Sequence, residues 1–145
     1  MKFVNTSMVV VLSIAALQLA ACSQTSSTAT KTEPAKVEKI EGTDFNRVIL
    51  SEKAAQRLDI QTAAVREEQV GGQRKMIPYS AVIYDLQGKT WAYTSPEPLT
   101  FLRQPVTVLD IEGDTAILAD GPPAGTQVAT VGVAELYGAD TGIGK

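Results

Sequence analysis

From residue 71 onward, turn-forming clusters cut the chain at short intervals. They are Gly71-Gly72, Asp85-Leu86-Gln87-Gly88, Ser95-Pro96-Glu97-Pro98, Glu112-Gly113-Asp114 and Asp120-Gly121-Pro122-Pro123. Each bends the backbone by its own chemistry: Gly opens positive φ, Pro removes a donor, and Asp bonds its own nearby N–H groups. Spacing of about eight to twelve residues between turns argues for an antiparallel sandwich or barrel.

The intervening residues agree with that reading. Residues 61–70 look extended, and Gly71-Gly72 reads as a hairpin turn into 73–85. Pro78 cannot donate to a ladder, so it marks a sheet edge or a strand start. In residues 89–94, Trp91 and Tyr93 share one face while Thr90, Ala92 and Thr94 share the other. Residues 99–109 are extended, with Val106 and Val108 on one face, and residues 115–119 and 127–133 complete the strands. One helix is expected. Ser51 caps it, Glu52 lies in its first turn and Arg57 in its last, and Leu50, Ala54 and Leu58 recur at a spacing of four. The predicted fold is therefore mainly β: a small antiparallel β-sandwich or barrel with one short helix over 43–137, and a loose tail over 138–145.

The first third of the chain is of another kind. Lys2 gives a positive start, and residues 8–19 form a nearly uninterrupted apolar run, short of the roughly 20 residues that span a bilayer comfortably. The run ends in Leu19-Ala20-Ala21-Cys22. This resembles the lipobox of bacterial lipoproteins, with residues 1–21 as signal peptide and Cys22 as the lipidation site. The resemblance implies a diacylglycerol thioether on the Cys22 thiol and acyl chains such as palmitate. It also implies a cell-envelope location facing the periplasm. Ser23 suggests the outer membrane if the host has two membranes. Two or three acyl chains anchor firmly where one would not, at about 0.8 kcal/mol per buried CH₂. Residues 22–42 are rich in Ser, Thr, Lys and Glu and read as a flexible linker.

Composition removes several function classes. The chain has 145 residues and no His, which excludes Ser-His and Cys-His arrangements and the commonest metal ligand. Net charge is -3, without a basic stripe, so nucleic acid is not expected as a partner. Cys22 is the one cysteine, so no internal disulfide forms. Asp110, Glu112, Asp114 and Asp120 are acidic turns; Gly113 precedes the third acid, against the calcium-loop pattern. Glu67 and Glu68 are adjacent on a strand and point to opposite faces, so they do not converge as a hydrolytic pair. Met76 has no partner Met, Cys or His and reads as core filling. No catalytic residue, metal ligand or cofactor site is expected, and the chain reads as a non-enzyme.

Two further stretches resemble the periplasmic adaptor subunits, or membrane fusion proteins, of resistance-nodulation-division efflux pumps. The first is 47–65, opening Arg47-Val48-Ile49-Leu50-Ser51-Glu52. The second runs through Ile77-Pro78-Tyr79-Ser80-Ala81-Val82, Trp91-Ala92-Tyr93, Phe101-Leu102-Arg103-Gln104-Pro105-Val106, Gly113-Asp114 and Gly125-Thr126-Gln127-Val128. Gly71-Gly72 stands where a full adaptor carries lipoyl, hairpin and barrel segments, and no heptad run is present. The resemblance is thus to the membrane-proximal domain alone. It implies transmembrane transport by protein contact, with an inner-membrane efflux transporter or a full-length adaptor as partner. Trp91, Tyr93, Phe101 and Arg103 are the candidate partner-contact residues, with core packing as the other reading for the aromatics. The alternative function is a structural or small-ligand-binding cell-envelope lipoprotein without a transport role.

Overall fold

In the computed structural model, residues 33–69 and 71–143 are described. The segment expected to be a signal peptide and Cys22 lie outside them. The elements are β1 (Ala35–Lys39), β2 (Asn46–Leu50), α1 (Glu52–Arg57), β3 (Gln61–Ala64), β4 (Arg66–Gln69) and β5 (Gln73–Pro78). After a 3-10 turn (Tyr79–Ala81) come β6 (Ile83–Tyr84), β7 (Thr90–Glu97), β8 (Thr100–Pro105), β9 (Thr107–Glu112), β10 (Thr115–Asp120), β11 (Gln127–Val131) and α2 (Val133–Thr141). The chain is mainly β, with antiparallel sheets.

One sheet runs β1-β2-β8-β7-β11-β3, with β6 pairing the start of β7 where β11 has left it; the other runs β4-β5-β10-β9. Two segments pass from the first sheet into the second. β3 becomes β4 across Val65, and β8 becomes β9 across Val106, and both valines are buried. At these bends a strand leaves one sheet and enters the other. Each corner is tied down: Val65 N–H donates to Thr126 O at 2.8 Å, and Thr90 Oγ1 donates to Val106 O at 2.6 Å.

Period-two alternation then supplies two cores. Ala92 and Val128 of the first sheet meet Ile77, Ala116 and Leu118 of the second, between the sheets. Their neighbours Tyr93 and Ala129 point the other way, and with Val48, Leu50 and Phe101 they pack under Val133 and Leu136 of α2. Helices cover one face of the first sheet and the second sheet covers the other. Burying Leu136 completely contributes about 1.5–3 kcal/mol.

The helix α1 forms as its sequence requires. Ser51 Oγ accepts Ala54 N–H at 3.2 Å, and Ala54 faces inward. The β4–β5 hairpin pairs Gln69 with Gln73 around Gly71-Gly72, as the turn chemistry predicts.

Three expectations are corrected. The linker expected over 22–42 ends early, because Ala35–Lys39 is a strand antiparallel to β2. Three of its five residues stay exposed, and the ladder to β2 supplies what composition does not. Of the loose tail expected over 138–145, residues 138–141 are instead the last turn of α2, held by Asp140, and residues 144–145 lie outside the described residues. Ser95-Pro96 does not end its strand. β7 continues to Glu97 through a register shift after Thr94, and the reversal falls at Leu99, with φ of 61°.

Candidate functional site

The four candidate contact residues converge on one region of the first sheet, but not as a surface. Tyr93 and Phe101 are 0% and 2% exposed. They belong to the core under α2, so the expectation that they contact a partner is corrected. Trp91 and Tyr93 do share a face, and that face is the one on which α2 packs. Trp91 remains half-buried. Arg103, facing Tyr93 across the β7–β8 ladder, has a side chain only 16% exposed.

A single carboxylate organises this region. Asp140, in the last turn of α2, has a side chain wholly removed from solvent. Its Oδ2 accepts the Tyr93 hydroxyl at 2.7 Å and its Oδ1 accepts Asn46 Nδ2–H at 2.9 Å. Arg103 Nε lies 3.1 Å from Oδ2, yet its N–H is not aimed at an acceptor, so the contact is an ion pair without a directed hydrogen bond. β2, β7 and β8 thus each send one side chain to one carboxylate. Burial, and then the hydrogen bond to Asp140, hold the Tyr93 phenol well above the ordinary tyrosine range.

The guanidinium has aromatic neighbours too. Arg103 Cζ stands 4.9 Å from the Trp91 ring centroid and 5.8 Å from that of Tyr137. Trp91 is fixed on two more sides. Phe45 meets it edge-on at 5.7 Å, and its Nε1–H donates to Asp85 Oδ2 at 2.9 Å. Asp85 Oδ1 accepts the N–H groups of Gln87 and Lys89, closing the β6–β7 turn. Desolvation pushes the Asp85 carboxyl up, but the bonds from Trp91, Lys89 and Gln87 outweigh it, and the group sits below its usual range.

Beside this cluster an open groove of about 640 Å³ lies between the β6–β7 turn and the β8–β9 corner, lined by Tyr84, Lys89, Trp91, Pro105 and Val108 among others. Tyr84 is half-exposed and Leu86, in the adjoining turn, almost fully so. A hydrogen bond with Tyr79 raises the Tyr84 phenol. On the free edge of the second sheet, β9 exposes Leu109 and Ile111.

The remaining sequence candidates scatter. Asp110 and Glu112 are exposed on β9, Asp114 is in the turn after it, and Asp120 ends β10. Among the described residues, no three His, Cys, Asp or Glu side chains gather to hold a metal ion. Glu67 and Glu68 are exposed on β4, and Glu68 pairs with Arg66 at 3.6 Å. Met76 is buried.

Sequence reasoning missed Asp140, Asn46 and Asp85. Val133, Leu136 and Asp140 fall on one helical face, a signal for Asp140 that the interior Gly138 obscured. No protein-family model, curated protein or solved structure matches the chain.

Proposed function

We propose that the chain is a lipid-anchored cell-envelope lipoprotein whose β domain, resembling the membrane-proximal domain of an efflux-pump adaptor, works in transmembrane transport by touching other proteins. The observation that carries this reading is Leu19-Ala20-Ala21-Cys22 at the end of an apolar run, with its cysteine the single one in the chain. An acylated Cys22 would hold the β domain, whose first strand begins at Ala35, close to a bilayer. Support for contact over catalysis comes from the charge cluster: Asp140 faces inward and is matched by Tyr93, Asn46 and Arg103, which leaves no free carboxylate there for acid–base work. Partners, an inner-membrane transporter or a full-length adaptor, would meet the solvent-facing apolar side chains Tyr84, Leu86, Leu109 and Ile111.

The test has two arms. Wild type is expected in the membrane fraction with a lipid-modified residue 22, and Cys22→Ser in the soluble fraction; an unmodified residue 22 on a soluble wild-type product overturns the anchor. Cross-linking in native membranes is expected to recover a transporter or adaptor component, and recovery of neither overturns the transport role. The open groove favours a second reading, a small-ligand-binding envelope lipoprotein. Native mass spectrometry showing a bound small molecule, lost on Trp91→Ala, would support it.

A further inference from the structure

The helix α2 is poorly able to stand alone. Its 9 residues fall short of the roughly 12–15 an isolated helix needs, Gly138 interrupts its interior, and no side chain caps its N-terminus. Glycines in the left-handed region bound it at both ends: Gly132 at φ 77° and Gly142 at φ 72°. What holds it is docking, through Val133 and Leu136 in the core and Asp140 on the polar cluster. The strands beneath it are fixed differently. β7 is laddered to β8, β11 and β6, and β8 also to β2, all independently of the helix.

From this contrast we infer that α2 is a strap that opens from the first sheet as a unit, with Asp140 as its latch, while the sheets stay formed. Opening releases the contacts of Asp140 to Asn46, Tyr93 and Arg103 together, because all three end on one carboxylate. It also bares the apolar face built on Val48, Tyr93 and Phe101. Tyr93 and Phe101 then become reachable only in the opened state.

Native-state amide exchange on the full chain, under conditions where exchange reports the opening equilibrium, tests this. Wild-type amides in α2 are expected to exchange faster than those of β7 and β8. Gly138→Ala raises helix propensity, and its added Cβ meets only ordinary contact, 3.4 Å from Ile143 O. It should slow α2 amides about fivefold and leave β7 and β8 unchanged. Asp140→Asn leaves Arg103 without its countercharge and should speed α2 exchange about a hundredfold or more. The inference is overturned if α2 and the strands exchange with one common protection. It is also overturned if Gly138→Ala slows all of them equally, or slows none. The Gly138→Ala arm decides the matter even if Asp140→Asn does not fold.

Discussion

Tyr93→Phe removes one oxygen from the buried cluster and leaves the ring in place. The lost bond is short, 2.7 Å, buried, and made to a carboxylate already paired with Arg103. Hydrogen bonds to charged groups contribute about 1.5–3 kcal/mol, so a loss in that range is expected at neutral pH. That is a large share of the roughly 5–15 kcal/mol that holds a domain together. A second signature follows from titration. Burial and the Asp140 hydrogen bond raise the folded phenol above its unfolded value. The associated stability is therefore complete below about pH 10, where tyrosine begins to ionise in the unfolded chain. Above that point the unfolded chain releases a proton that the native one keeps, and wild type loses about 1.4 kcal/mol per pH unit through this group. The Tyr93→Phe variant has no such proton, and the other tyrosines act alike in both proteins. The wild-type advantage should then shrink at that rate and close within about two pH units. Urea unfolding followed by Trp91 fluorescence at neutral and alkaline pH measures both effects. A neutral-pH loss below about 0.5 kcal/mol, or a gap that stays constant through the alkaline range, refutes the argument.

Two further substitutions probe the frame. A Cβ at Gly132 would overlap Ile60 Cδ1, and φ there is 77°, so Gly132→Ala should destabilise by about 2 kcal/mol or more, read as a lower urea midpoint with unchanged slope. Ser51→Ala removes the hydroxyl that accepts Ala54 N–H and should cost about 1 kcal/mol, measured in the same way, while Ser51→Gly should cost only a few tenths.

The parts of the fold that local chemistry decides are readable from the sequence. The Gly71-Gly72 hairpin, the Asp85 turn and the Ser51 cap are made by residues within a few positions of one another. What escapes depends on distant partners. β1 offers little but charge alternating with small apolar residues, and its strand state comes from its ladder to β2. The helix α2 carries an interior glycine and an uncapped start, so its stability comes from Leu136 and Asp140 reaching other elements. The same limit applies to the candidate site. The two-residue period places Trp91 and Tyr93 on one face, but it does not say that both faces are covered. Asp140 lies 47 positions from Tyr93 and 94 from Asn46, and no local pattern links them. Tyr93 and Phe101, expected to meet a partner, prove to be the anchorage of the protein's own helix.

The corners at Val65 and Val106 carry a consequence for how the molecule assembles. At two separate places a continuous run of chain begins in the first sheet's hydrogen-bond network and finishes in the second's. Neither layer can therefore be completed first and docked afterwards as a finished plate. Zipping β3 or β8 into register already fixes where β4 or β9 must start, so the two layers have to grow together around those paired valines.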